Sequence, residues 1–398
     1  MSAETLPHTQ PQLSHSRVPV VAFTIEELSV GGAEHMLMVM ANEFVKRGWR
    51  VHMICLTHAG ELASRLDKSV QVHVLNKRPG IDIRLPWRLV RCVNEIKPDV
   101  INSHLWVANA WTRLSLLARN VPVVVTEHSR DTWKSPYYRW IDKRLAGRAH
   151  RLVAVSSDTA SFYEHNIGID KQMISVINNG IDTAKYAAGC GEALRLKWLA
   201  MSPNGIEVAR KPFFIGTVGR LVSAKNHHRL IDAVAMLIDD ASVARSHDIY
   251  LKIVGEGPER SQLQQYIESL GLAERISLTG TRHDIPDVLA AFDIFALSSD
   301  REGHPLTALE AQAAGTPVVL TDAGGSAEAI ARQSDQVGGV LVKPDVSELF
   351  KAIRQMVLDP QLREERSQFA RTFALENFDK SQMTDHYEVI FRNAFRQP

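Results

Sequence analysis

Residues 299–311 place two carboxylates, Glu302 and Glu310, on either side of a helix start. The apolar run before them reads as a strand, and the run from Pro305 to Ala314 has helical spacing. Gly303 permits unusual backbone angles and the close approach of a ligand. Pro305, after His304, suits the first turn of the helix. The unpaired N–H groups of that turn, from Leu306 onward, can face an anion. Glu302, standing before the helix, can reach sugar hydroxyls, while Glu310, more than one turn inside, can accept hydrogen bonds from a ribose diol. Taken alone, the two glutamates fit a capping carboxylate and a solvated side chain equally well. Their surroundings have to decide.

Further polar and glycine positions follow other strand-like runs. Gly31 and Gly32 come after Val20–Ile25 and can bring backbone N–H groups close to a phosphate or an acceptor. His128 follows Val121–Thr126, with His104 a weaker candidate near the same strand ends. Arg220 and Lys225 follow Phe213–Val218, and Gly255 and Gly257 follow Tyr250–Val254. Each has an ordinary reading as well: a strand–helix turn, a structural histidine, a solvated cation. Glu34 is read as capping or packing at its helix start, and Asn226-His227-His228 as another helix start rather than a metal site.

The elements that must position these residues alternate. Strands are expected at Val20–Ile25, Arg50–Leu56, Val70–Leu75, Val100–Ser103, Val121–Thr126, Leu152–Val155 and Ile174–Ile177, with helices at Glu34–Arg47, Leu85–Ile96 and Ala108–Ala118 between them. The alternation restarts with strands at Phe213–Val218, Tyr250–Val254, Ser277–Thr279, Ile294–Ser298, Pro317–Thr321 and Gly339–Val342. It implies βαβ units and parallel sheets. The resulting organisation is a disordered tail over residues 1–17, a first domain over 18–183, a Gly- and Pro-bearing linker over 184–212, and a second domain over 213–378. A final helix over 379–398, with Met383, Tyr387, Ile390, Phe391 and Phe395 at helical spacing, is placed to pack back on the first domain.

The ordered set of motifs resembles glycosyltransferase family 4. Glu302-Gly303-His304-Pro305-Leu306, Leu309-Glu310-Ala311 and Ala314-Gly315-Thr316-Pro317 look like the family's signature of two spaced glutamates. Family members usually carry an aromatic or aliphatic residue where His304 stands. Gly31-Gly32-Ala33-Glu34, Thr126-Glu127-His128, Asn179-Gly180-Ile181-Asp182, Gly219-Arg220-Leu221 with Lys225, Gly255-Glu256-Gly257, and Gly324-Gly325 with Glu328 resemble further family features in the expected order. The resemblance implies an α/β GT-B fold, in which two doubly wound Rossmann-like domains face across a cleft. It also implies a retaining hexosyltransferase of bacterial surface-polysaccharide or glycolipid assembly. The donor would be a nucleotide-sugar, with UDP favoured, carrying a hexose or N-acetylhexosamine. The acceptor would be lipid-linked or a glycan. By the same resemblance Arg220 and Lys225 bind the donor pyrophosphate, Glu302 and His128 the transferred sugar, and Glu310 the ribose. Gly255 and Gly257 let the base and ribose approach, while Gly31, Gly32, Gly303, His304, Pro305 and Leu306 complete the donor site. No metal or other cofactor is implied, and no Asp-x-Asp element stands where a metal would bridge a diphosphate.

Bulk properties restrict the partners. The 398 residues carry a formal net charge of +1, so no global field attracts nucleic acid. Three scattered cysteines, Cys55, Cys92 and Cys190, suit a reducing cytosol rather than a disulfide framework. Neither a signal peptide nor a spanning run is expected. The stretch Trp133–Arg151 is both aromatic and basic, and it reads equally as an inner-membrane contact or as a half-buried helix with a solvated face. A GT-B epimerase, a catalytically silent nucleotide-sugar-binding scaffold and a dinucleotide dehydrogenase are the rival readings. The last lacks a complete GxGxxG fingerprint after the first strand.

Overall fold

The computed structural model describes residues 17–117, 120–201 and 210–396. Most of the tail over 1–17 and residues 202–209 of the linker lie outside the described residues. Seven strands form the first sheet: β1 (Val20–Ile25), β2 (Arg50–Cys55), β3 (Gln71–Val74), β4 (Val100–His104), β5 (Val123–Glu127), β6 (Arg151–Ala154) and β7 (Ile174–Val176). Their order is β3-β2-β1-β4-β5-β6-β7, parallel throughout. The second sheet holds β8 (Lys211–Val218), β9 (His247–Val254), β10 (Ile276–Gly280), β11 (Ile294–Leu297) and β12 (Val318–Thr321). A short antiparallel ribbon follows, β13 (Arg332–Gln333) with β14 (Gln336–Val337), before the edge strand β15 (Gly339–Val342). The order there is β10-β9-β8-β11-β12-β15, again parallel.

Helices cover both faces of a parallel sheet, so its central strands are apolar without alternation. Every residue of β1, β4, β5, β11 and β12 is buried accordingly. Each sheet reverses its strand order once, between β1 and β4 in the first and between β8 and β11 in the second. The loops leaving the carboxyl ends of these strands are where a doubly wound sheet binds ligands.

Two regions depart from the sequence expectations. Residues 184–201, expected as the connection between the domains, are a packed part of the structure. Trp198 of the helix Glu192–Ala200 stacks on Phe292 at 5.8 Å and lies 5.3 Å from Phe214, against the second sheet. The helix Pro360–Asn377 was not foreseen as an element, whereas Pro136–Ala146 is the helix that one reading of the Trp133–Arg151 stretch expected. The last helix, Lys380–Arg396, sits on the first sheet, where Phe391 stacks on Phe44 at 5.2 Å and touches Phe23 and Trp49. The chain crosses back at Asn179–Thr183. There the Ile181 and Lys380 amides exchange hydrogen bonds with the Phe378 and Ile181 carbonyls, and Lys380 pairs with Asp182.

Candidate active site

The polar groups gather at the two switch points. In the second sheet β8 runs into Gly219-Arg220-Leu221 and β11 into the loop that ends at Glu302. Lys225 crosses that crevice and donates to Glu302 Oε1 at 2.6 Å, and Ser299 Oγ donates to the same oxygen at 2.6 Å. Arg220 is exposed, and its guanidinium is felt by the Glu34 carboxyl of the facing domain. Burial nevertheless raises the Glu34 pKa, the dominant effect there.

Across the cleft, β1 leads to Gly31-Gly32 at the start of the helix Gly32–Lys46. A methyl group on Gly32 would meet only the Leu306 side chain of the second domain, at 3.9 Å, whereas one on Gly31 would meet the Glu34 carboxylate at 2.3 Å. These two glycines therefore face open space and movable side chains. Next to them β4 ends in His104 and β5 in Glu127, immediately before His128. His104 Nδ1 and His128 Nε2 are 3.0 Å apart, and His104 Nε2 lies 2.7 Å from Asn102 Oδ1. Burial drives the His128 pKa down to about 4 and that of His104 well below its usual value, so both rings are neutral near pH 7.

Several of the expected site positions make contacts that their motifs do not name. Gly303 makes room for the other domain, because a Cβ there would stand 1.8 Å from the His128 carbonyl oxygen. Gly255 and Gly257 do the same between two loops of the second domain. A Cβ on Gly255 would lie 2.0 Å from the Gly219 oxygen, and one on Gly257 would lie 2.4 Å from the Leu221 oxygen. Gly255 also has a φ of +139°, which side-chain-bearing residues rarely adopt. The 219–221 loop thus leaves no space for a side chain at either position. Pro305 stands just outside the helix as its N-cap, and Leu306 begins it.

The His304 ring is buried, its two nitrogens have no hydrogen-bond partner among the described residues, and burial lowers its pKa to about 4. Its carbonyl accepts from Asn179 Nδ2 at 2.9 Å. Glu310 is buried on the same helix and accepts from the Tyr186 hydroxyl at 2.6 Å. Burial raises its pKa to about 6, against the opposing effect of the Tyr186 hydrogen bond and the Lys185 charge. Tyr186 was not anticipated, and nothing in the local sequence marks it.

The domains also meet through Glu328. Its carboxylate accepts from the Ser157 amide at 2.8 Å and from Asn178 Nδ2 at 3.2 Å. Arg301 donates across the same boundary to Thr132 Oγ1 at 3.0 Å.

The Trp133–Arg151 stretch divides. Trp133, Tyr137 and Trp140 are exposed, as are Lys143, Arg144 and Arg148. Lys134, expected in the basic face, is instead internal. Its ammonium contacts Asp131 and Asp142, each at 2.7 Å, and Tyr163 Oη at 3.0 Å, while Arg113 reaches Asp142 at 3.1 Å. Glu127 lies buried beside this cluster, and burial raises its pKa to about 7. Among the described residues no helix is long and apolar enough to cross a membrane.

Two family models match the chain: Glycosyltransferase Family 4 over residues 30–185 and Glycosyl transferases group 1 over residues 203–373. A relative from Escherichia coli, UDP-Gal:alpha-D-GlcNAc-diphosphoundecaprenol alpha-1,3-galactosyltransferase, is 25% identical over 363 residues, covering 88% of this chain and 90% of its own. A D-inositol 3-phosphate glycosyltransferase of Salinispora arenicola (strain CNS-205) is 29% identical over 296 residues, covering 69% of this chain and 64% of its own. Among solved structures, Anabaena HepE in complex with UDP-glucose superposes with a TM-score of 0.79 at 24% identity, over 94% of this chain and 99% of that one. The fold is the two-domain GT-B architecture.

Proposed function

Because the chain belongs to glycosyltransferase family 4 and is a glycosyltransferase, we propose that it moves a hexose or N-acetylhexosamine from a nucleotide-sugar to a lipid-linked or glycan acceptor with retention at the anomeric carbon. The observation that carries this reading is the convergence at facing switch points. Arg220, Lys225 and Glu302 leave the second sheet where His128 and the Gly31-Gly32 turn leave the first, and Gly303 abuts His128. In this reading Arg220 and Lys225 hold the donor pyrophosphate. An Arg can grip two phosphate oxygens, and a Lys supplies a mobile point charge. Lys225, paired with Glu302, exchanges that carboxylate for phosphate and leaves Glu302 to accept from a sugar hydroxyl. The bond from the anomeric carbon to the β-phosphate oxygen breaks as the bond to the acceptor oxygen forms on the same face. The acceptor proton passes to the departing phosphate. Both cations stabilise the negative charge that grows there, without reorganisation of solvent. In this reading Glu310, which accepts from the Tyr186 hydroxyl, holds the ribose.

A UDP-sugar is favoured because the E. coli relative's name specifies UDP-Gal and HepE was solved with UDP-glucose. A lipid-linked acceptor is supported by the diphosphoundecaprenol in the same relative's name. The exposed Trp133, Tyr137 and Trp140 beside Lys143 and Arg144 suit the inner face of an anionic membrane. No metal takes part in the proposed reaction.

The test is incubation of the purified protein with UDP-, GDP- and ADP-sugars and membrane lipid extract, with and without EDTA. The readouts are nucleotide diphosphate release and labelled-lipid formation. Transfer from one donor, unaffected by EDTA and lost in Arg220→Ala and Glu310→Ala, is expected. Absence of donor binding would overturn the reading.

A further inference from the structure

The hydrogen-bond chain behind His128 fixes which of its ring nitrogens can serve a ligand. Asn102 is fully buried, and its amide orientation is determined by two contacts. Its Nδ2 donates to the Val124 carbonyl oxygen and to Thr126 Oγ1, each at 3.0 Å. A carbonyl can only accept, so the other amide atom, Oδ1, faces His104 and accepts from it. His104 Nε2 therefore carries the hydrogen. A neutral imidazole has one N–H, so His104 Nδ1 is an acceptor, and the atom facing it, His128 Nε2, must be the donor. The remaining atom of the half-buried His128 ring, Nδ1, then bears a lone pair and makes no hydrogen bond within the described residues. Burial keeps both histidines neutral, which is the condition for this count of protons.

We infer that Asn102 and His104 are positioning residues that hold His128 in its Nε2–H tautomer, so that Nδ1 meets the donor as a hydrogen-bond acceptor for a sugar hydroxyl. The identity of that hydroxyl rests on the sugar-transfer reading; the tautomer does not. Such a site discriminates against a donor sugar whose hydroxyl is replaced by a group unable to donate, since the lone pair would be left unmatched. It also gives His128 nothing to offer a phosphate oxygen.

The chain is anchored from the far end of the sequence. Tyr387 of the last helix lies 3.3 Å from Thr126 Oγ1, the atom that accepts from Asn102. Docking of the C-terminal helix and orientation of the His128 ring thus belong to one network.

The experiment is nitrogen-15 NMR of the full chain labelled on histidine, in wild type, His104→Leu and His104→Gln, with transfer kinetics on the same samples. Wild-type His128 is expected to show a protonated Nε2 and a bare Nδ1. His104→Leu keeps the volume but removes the acceptor, so the His128 signals should move toward a mixture of tautomers, with kcat reduced about tenfold for the loss of one oriented hydrogen bond. His104→Gln retains one donor and one acceptor and should restore much of both. A wild-type His128 protonated at Nδ1 would overturn the inference, as would an unchanged tautomer in a folded His104→Leu. If His104→Leu does not fold, the wild-type spectrum and His104→Gln decide. A correct tautomer in a protein that transfers no sugar would sink the proposed function and leave the relay standing.

Discussion

Gly303→Ala isolates the contact on which the cleft geometry depends. The added Cβ would fall 1.8 Å from the His128 carbonyl oxygen, and real Cβ contacts essentially never come below 3.0 Å, so the two loops must separate by about 1.2 Å. Both sides are backbone, so no rotamer change relieves the overlap. The φ of Gly303 lies outside the left-handed region, so alanine fits the local conformation and the effect is purely one of separation. That separation moves Glu302 and Lys225 away from His128 and the Gly31-Gly32 turn. A misplacement of about 1 Å between reacting groups costs on the order of 100-fold in rate. We expect kcat/KM to fall by about that factor while each domain's own core stays intact. The assay is donor-saturated transfer kinetics alongside thermal melting and circular dichroism. Gly32→Ala is the control for folding only: its Cβ would meet only Leu306 at an ordinary 3.9 Å, so its melting should match wild type. Wild-type kinetics in Gly303→Ala would refute the reasoning.

Three further outcomes are expected. The folded-state pKa of Glu310 is raised to about 6, so its protonated form favours folding below its ordinary value near 4.5, and that stability is lost as pH rises through 6. Glu310→Gln should therefore melt higher than wild type at pH 8, by the equivalent of about 2 kcal/mol, and show no advantage at pH 4.5; equal melting at both pH values would contradict this. The His304 pKa is lowered to about 4 from 6.5, so the stability present above pH 6.5 is lost as pH falls through 4. His304→Phe removes that titration and two unpartnered buried nitrogens, and should shift the acid-unfolding midpoint to lower pH in a fluorescence titration. Lys134→Met leaves Asp131 and Asp142 without the buried ammonium and should cost about 3–5 kcal/mol in denaturant unfolding at pH 8.

The two sheets were legible because parallel strands buried on both faces leave uninterrupted apolar runs, and the strands expected from those runs are all present to within a few residues at their ends. The stripe Met383, Tyr387 and Phe391 likewise marked a packed helix, but periodicity names a buried face and not the surface that buries it. Phe44 and Thr126, which receive it, stand more than 250 residues away. The same limit applies at the site. Gly32, Gly255 and Gly303 all follow strand ends and look alike in sequence, yet they face a leucine side chain, a carbonyl of the same domain and a carbonyl of the other domain. Lys134 sat in a basic run, and only the folded chain puts Asp131, Asp142 and Tyr163 around it. A local signal did exist: Asp131 precedes Lys134 by three residues and could have flagged an internal pair. For Tyr186 on Glu310 there was none, because a single hydroxyl bond between distant segments leaves no period and no spacing. Motifs therefore identify which loops border the cleft, while the contacts that set its width and its tautomers arise between segments that sequence spacing does not relate. Substitutions at those contacts are the ones that separate catalytic chemistry from the geometry that supports it.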